Sequence, residues 1–314
     1  MSKLSMSDVV ADFGAVTAAA DRIAARALRT PVKQSERLNQ ALGCQVYLKC
    51  ENLQRSGSFK FRGACNALLQ LSPEQRAQGV VTVSSGNHGA ALAAAGQLLG
   101  VQVTVGVANN ASPVKRSNML KHGARIIPIE PGMAAREAFL AGQQAQNAII
   151  IPPYDHPDII AGQGSAALQL LEEYPQLWGV VTPLGGGGLL SGSALVAEHY
   201  GAFCYGIEPE LASDGKQSLI KGEIQPAMPP TSICDGLLTS LGKHTFAIIK
   251  EKVSDILVVS DAQVTAAQEL VEATTGMWIE PSSATVIAAL QRYPELFCDK
   301  SVGVILSGGN AALR

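Results

Sequence analysis

The sequence predicts an α/β protein built on parallel sheets with helices on both faces. Three observations carry this. Short apolar, β-branched runs such as Val80–Val83 and residues 302–306 alternate with helix-like segments along almost the whole chain. Three Gly/Ser-rich segments each directly follow such a run. Finally, 47% of the 314 residues are hydrophobic and only 16% charged, which allows a sizeable buried core.

Taken in order, residues 8–28 are Ala-rich and helix-like, and Thr30-Pro31 ends the run because the position before proline disfavours helix. Residues 46–49 form a strand. Residues 64–71 form an apolar helix with Ser58 as its candidate N-cap. Residues 80–83 are a strand leading into Ser84-Ser85-Gly86-Asn87 and an Ala-rich helix. Strands at 101–107, 124–129 and 148–151 then alternate with helices at 113–122 and 133–144. A second series has helices at 160–173, 188–199, 262–275 and 281–293, with strands at 178–184, 205–207 and 302–306. The last strand ends in Ser307-Gly308-Gly309-Asn310.

Continuous apolar strands between helices are the mark of parallel sheets. Ligands of such sheets sit at the carboxyl ends of strands. The segments Ser84 to Gly89, Gly185 to Gly188 and Ser307 to Asn310 occupy those positions. No internal repeat or low-complexity linker is present, so any domain boundary is crossed by short connections.

The net charge of −2 argues against nucleic acid or an anionic membrane as the main partner. No apolar stretch is long enough to span a bilayer, and residues 1–12 lack the basic start and apolar run of a signal peptide. The six cysteines are scattered without a CxxC, and Cys44 and Cys50 have no partner at zinc spacing. They read as reduced thiols, and the expected location is cytoplasmic.

Gly185-Gly186-Gly187-Gly188 follows a strand and opens a helix. Backbone without side chains lets several amides converge on an anion at the positive end of a helix. No Gly-Lys-Ser/Thr follows, so this is not a Walker loop. Leu190 and Ser191 stand where a dinucleotide fingerprint needs its third glycine. A phosphate loop of another kind is the better reading.

Lys60 lies in Ser56-Gly57-Ser58-Phe59-Lys60-Phe61-Arg62-Gly63. In the first turn of a helix a cation opposes the dipole. Such a lysine has a lowered pKa, which suits an imine-forming amine.

Together these segments, with Ala161-Gly162-Gln163-Gly164, resemble the fold-type II pyridoxal 5'-phosphate (PLP) enzymes, specifically the serine/threonine dehydratase and serine racemase family. The resemblance runs from about Thr30 to Asn310. It implies a tryptophan synthase β-like fold of two three-layer domains with parallel-rich sheets. Residues 1–78 and 153–314 would form the large PLP-binding domain, and residues 79–152 a small mobile one. A homodimer is expected.

The resemblance also implies roles. Lys60 would carry PLP as a Schiff base, with Phe59 packed on the ring. Asn87 would bond the 3'-oxygen. Gly185, Gly186, Gly187, Gly188 and the amide of Leu189 would hold the phosphate. Ser307 would face the pyridine nitrogen; a serine holds that nitrogen less protonated than an aspartate would, which favours prompt elimination. Ser84, Ser85, Gly86, Asn87 and His88 would bind the substrate carboxylate, and Arg136 matches a position near the substrate entrance. Glu208, the carbonyl of Ala212 and Asp214 would ligate Mg²⁺ or Ca²⁺.

The implied reaction is dehydration and deamination of L-serine or L-threonine to a keto acid and ammonia, with released Lys60 as the base. Racemisation needs a second acid/base group. In the family, serine racemases and hydroxyaspartate dehydratases place serine where this chain has Ser85, and many threonine dehydratases have alanine. The chain departs from racemase relatives at Tyr154, where they carry asparagine and dehydratases often an aromatic. It ends at Arg314, shortly after Asn310, so feedback control is not expected and a catabolic role is. Dehydration of 3-hydroxyaspartate is the second enzyme reading. A catalytically inactive PLP-binding or amino-acid-sensing protein is the non-enzyme reading, opposed by intact Lys60, Asn87 and Ser307.

Overall fold

The computed structural model describes residues 11–311. The expected helix start at Asp8 lies outside them. α1 (Phe13–Ile23) is capped by Asp12, whose carboxylate accepts from the Ala15 amide at 2.7 Å. It ends earlier than the expected residue 28. The Gln54 side chain bonds both the amide and the carbonyl of Leu28, giving that backbone a partner other than a helical one.

Then follow β1 (Val32–Lys33), α2 (Glu36–Leu42), β2 (Gln45–Cys50), α3 (Lys60–Gln70) and α4 (Pro73–Gln78). The next stretch is β3 (Val80–Val83), α5 (Asn87–Leu99), β4 (Val103–Ala108), α6 (Pro113–Lys121), β5 (Arg125–Ile129), α7 (Met133–Gln144) and β6 (Ile149–Ile150). The chain continues through α8 (Pro157–Glu173), β7 (Gly179–Pro183), α9 (Gly188–Tyr200), β8 (Phe203–Pro209) and α10 (Asp214–Lys221). It closes with α11 (Lys243–Lys252), β9 (Asp255–Val259), α12 (Asp261–Thr275), α13 (Pro281–Arg292), α14 (Pro294–Phe297) and β10 (Ser301–Leu306).

These strands form two sheets. The larger has the order β1-β2-β10-β7-β8-β9, and the smaller β5-β4-β3-β6. All neighbours are parallel except β1, a two-residue antiparallel edge on β2. A very short edge strand limits pairing with another chain. β10 pairs with β2 from Ser301↔Gln45 to Leu306↔Cys50, so both ends of the chain build one sheet. Pro128 sits on β5, an edge of the smaller sheet, where a missing N–H costs little.

The larger sheet is buried on both faces. Val302, Val304 and Leu306 join one core with α12 and α13, while Ile305 faces the other with α8, α9 and α11. This period of two divides each strand between two apolar layers. A third core lies between β3, β4 and the Ala-rich face of α5.

Three helices fix the distances that matter for the site. A Cβ on Gly162 of α8 would lie 2.7 Å from the Gly63 Cα of α3, and one on Gly164 would lie 2.8 Å from the Gly192 carbonyl of α9. A glycine inside a helix costs about 1 kcal/mol relative to alanine. Here it lets backbones touch, so α8 sets how far the start of α3 stands from the start of α9.

Candidate active site

Lys60 opens α3 beneath the carboxyl end of β10. The preceding turn is held there by backbone bonds: the Phe59 amide donates to the Ser307 carbonyl at 3.0 Å, and Gly309 to the Gly57 carbonyl at 3.0 Å. Gly57 has φ +75°, and any Cβ there would strike the Asn310 side chain. Ser58 is not the cap that its residue type predicts. Phe59 occupies the N-cap position, and the buried Ser58 Oγ has no hydrogen-bond partner. Ser58 instead lies in extended backbone that bridges Gly308, one residue before the N-cap.

The Lys60 Nζ donates to the Pro153 carbonyl at 2.8 Å and lies 5.2 Å from the centre of the Phe59 ring. Burial lowers its pKa to about 8, against a smaller opposing pull from Glu280. The lowering agrees with the direction expected from the sequence, but its cause is desolvation.

The loop after β3 leads into α5, whose N-cap Gly86 offers no side chain. Its first-turn amides are therefore open to an anion. Ser84 Oγ accepts from the Gly86 amide at 3.2 Å, and Ser85 is half-buried in the same loop. Asn87 donates to both oxygens of Glu280 and accepts from Asn310 at 2.9 Å. His88 is buried, with Nε2 3.1 Å from the Ile151 carbonyl and Nδ1 without a partner. Burial and the nearby Lys60 lower its pKa to about 3, so the ring is neutral.

The tetraglycine loop joins β7 to α9, whose N-cap, Gly187, has φ +92° and no capping side chain. Each glycine meets a different wall. A Cβ on Gly186 would fall 2.3 Å from the Tyr154 ring, and one on Gly188 would lie 2.4 Å from Gln163 Oε1. On Gly187 it would meet the Thr245 Cβ at 2.8 Å. Only bare backbone fits, and its amides head a helix. The Gln163 Oε1 is buried and unpartnered beside this loop. Ser307 follows β10 and is buried. This set of residues fits PLP: an amine with a lowered pKa, an anion cradle, and buried polar atoms awaiting partners.

Glu280 escaped the sequence reading. It is the N-cap of α13, is buried, and its amide donates to the Gly308 carbonyl at 3.1 Å. Burial raises its pKa despite the bond from Asn87. An acidic residue before Pro281 at a helix start was the available signal.

Arg136 is half-buried on α7, close enough to Tyr154 for its charge to favour the phenolate. Lys115 of α6 pairs with Asp235, linking the smaller sheet's helices to the turn after Cys234.

Glu208 is the penultimate residue of β8, and its two oxygens accept from the Gly215 and Lys216 amides at 2.9 and 2.8 Å. Burial raises its pKa to about 8 and that of Asp214 to about 6. Neither Asp214 oxygen has a well-formed hydrogen bond, although the Met228 amide favours its charged form. Among the described residues no group of three His, Cys, Asp or Glu side chains could hold a metal. Two carboxylates and the Ala212 carbonyl are what this corner offers.

Parallel sheets, a buried lysine amine at a helix start, a tetraglycine turn heading an uncapped helix and a serine at a strand end together define the fold-type II class of PLP enzymes. The family model of pyridoxal-phosphate dependent enzymes matches residues 23–308, and the chain belongs to this family. It is 43% identical over 310 residues to L-threo-3-hydroxyaspartate ammonia-lyase of Saccharomyces cerevisiae, covering 98% of this chain and 95% of that one. It is 42% identical over 315 residues to serine racemase of Schizosaccharomyces pombe, covering 98% of each. The crystal structure of serine racemase from Dictyostelium discoideum superposes with a TM-score of 0.92 at 39% identity, over 97% of this chain and 100% of that one.

Proposed function

We propose that the chain removes water and ammonia from small hydroxy-amino acids, L-serine and L-threonine first, and also racemises serine. The observation that carries this is Lys60: its buried amine is held by the Pro153 carbonyl, its pKa is lowered to about 8, and α5 and α9 of the same chain both start without a side-chain cap. PLP, when bound, supplies an electron-withdrawing ring that acidifies the substrate's α-carbon. The amides and hydroxyls of Ser84 to Asn87 bind the substrate carboxylate at the start of α5. Asn87, steadied by Glu280 and Asn310, orients the cofactor. The Lys60 amine takes the α-proton, a task its lowered pKa suits near neutral pH. Ser85 is the second acid/base group, on which racemisation depends.

One observation favours 3-hydroxyaspartate as a second substrate. Arg136 and Tyr154 lie near each other by the loop, and a guanidinium is suited to a second carboxylate. The 43% identical ammonia-lyase supports the same reading.

Residues 79–152 are proposed to act as a mobile unit that closes over the substrate, with Lys115 and Asp235 as a contact across the cleft. Glu208, the Ala212 carbonyl and Asp214 are proposed to hold Mg²⁺ or Ca²⁺, a hard-oxygen set with water completing it. The assembly is taken to be a homodimer, which sedimentation would test. No helix among the described residues is long and apolar enough to cross a membrane. All six cysteines are free thiols, which supports a reducing, cytoplasmic setting.

The test is an assay panel with PLP-loaded protein: keto-acid release from L-serine, L-threonine and the 3-hydroxyaspartate stereoisomers, with chiral analysis of remaining serine. Keto acid from serine or threonine supports the main reading. Turnover of 3-hydroxyaspartate alone favours the second. No turnover of any of them refutes both.

A further inference from the structure

The N-cap of α11, Gly242, has no side chain to accept from the first-turn amides, although Thr245 Oγ1 accepts from the Gly242 amide at 2.9 Å. The three amides that follow would lack partners within the helix. They are satisfied from far away in the sequence. The Asp155 carboxylate accepts from the amides of Lys243 at 3.0 Å, His244 at 2.8 Å and Thr245 at 3.1 Å. A carboxylate at this end also meets the helix dipole favourably. The fit is close enough that a Cβ on Gly242 would collide with the Asp155 side chain.

What α11 then does concerns the tetraglycine loop. Thr245 Oγ1 donates to the Gly186 carbonyl at 2.9 Å, and the Thr245 carbonyl accepts from Ser191 Oγ of α9 at 3.2 Å. Thr245 Cβ and Ile249 Cδ1 form the wall against which Gly187 lies. Thr245 is fully buried. Asp155 itself stands in the connection from β6 to α8, next to Tyr154, whose ring covers Gly186, and Pro153, whose carbonyl holds Lys60.

We propose that Asp155 is a positioning residue for the phosphate loop. Its carboxylate fixes the start of α11, and α11 fixes Gly186 and Gly187 through Thr245. The inference rests on the reading that this loop holds the PLP phosphate. It adds that the loop's shape is set from the connection between the two sheets and not by the loop itself.

The test compares the full-length protein with Asp155→Ala, Asp155→Asn, Thr245→Val and Ser260→Ala. Ser260 caps α12 in the same manner, its Oγ accepting from the Gln263 amide, and serves as control. Two quantities are measured: the PLP dissociation constant of protein stripped of cofactor, and hydrogen exchange of residues 185–189 in that stripped protein. Asp155→Ala and Thr245→Val are expected to weaken PLP at least tenfold and to speed exchange of the loop. Asp155→Asn keeps a side-chain oxygen for the amides and recovers most of both. Ser260→Ala lowers the melting temperature and leaves both unchanged. PLP binding within twofold of the parent in Asp155→Ala overturns the proposal, as does an equal effect of Ser260→Ala. If Asp155→Ala does not fold, Thr245→Val decides by the same two criteria. A parent protein that binds no PLP refutes the reading of the loop, while the exchange data still judge the link from Asp155.

Discussion

The side-chain amide of Asn87 donates to both carboxylate oxygens of Glu280, at 2.8 and 3.0 Å. The two residues lie 193 positions apart and belong to helices of different sheets. Asn87→Asp would set two carboxyl groups against each other in a buried place. Like charges raise each other's pKa, so the penalty is largest when both are ionised and falls as pH drops. The variant is expected to bind PLP at least tenfold more weakly at pH 8 and to regain affinity towards pH 6. A titration of absorbance with PLP at both pH values checks this.

The Lys60 amine, with a pKa lowered to about 8, must be neutral to form its bond with PLP. Recombination of stripped protein with PLP should therefore quicken as pH rises and level off above about 8. Glu280 favours the charged amine. Glu280→Gln should move that inflection to lower pH. Stopped-flow mixing across pH 6 to 9 measures it, and an inflection that stays in place in Glu280→Gln contradicts the assigned cause.

Arg62 and Glu51 form a fully buried ion pair at 2.7 Å, two residues from Lys60. Removing one partner of such a pair costs on the order of 3–5 kcal/mol. The arginine holds the Glu51 pKa below its usual value against burial. A depressed carboxyl contributes stability above its unfolded pKa and loses it as pH falls. Arg62→Leu should thus lower the melting temperature more at pH 8 than at pH 4.5. Thermal unfolding at both values reads the difference.

Ser85→Ala should abolish serine racemisation while most dehydration survives, because only racemisation needs a second acid/base group. Chiral analysis of serine alongside keto-acid release separates the two activities. Racemisation unchanged in this variant would remove Ser85 from the mechanism.

Glu208 and Asp214 have raised pKa values, of about 8 and 6, in the metal-free chain. A cation must displace their protons, so its binding strengthens as pH rises. Mg²⁺ or Ca²⁺ at 100 times its dissociation constant should stabilise the fold by about 2.7 kcal/mol. At one fixed cation concentration the rise in melting temperature should be larger at pH 8 than at pH 6, and it should be lost in Asp214→Asn. EDTA that changes neither melting temperature nor activity would dismiss the site.

Much of this architecture was legible because parallel strands are apolar throughout. The runs at 80–83 and 302–306 are visible wherever one looks for β-branched residues. β9 (Asp255–Val259) was missed, although Ile-Leu-Val-Val is equally apolar, because it follows a Lys/Glu-rich helix with no turn residue of the Gly or Pro kind between them. α10 and α11 carry mixed charged and apolar residues whose pattern is completed only by partners elsewhere. The site followed the same division. Lys60 and the tetraglycine loop announce themselves locally. Glu280 and Asp155 do not, since their partners lie 193 and up to 90 positions away. Ser58 misled for the opposite reason: its residue type favours capping, but its backbone bridges Gly308 and the N-cap falls one residue later, at Phe59.

The most direct measurement is borohydride reduction of the PLP-loaded protein, followed by peptide mass mapping. The expected result is a single phosphopyridoxyl group on Lys60, and none in Lys60→Ala protein loaded with PLP and reduced in the same way. A modification on Lys49, Lys115 or any other lysine in its place, or none at all, would contradict the account.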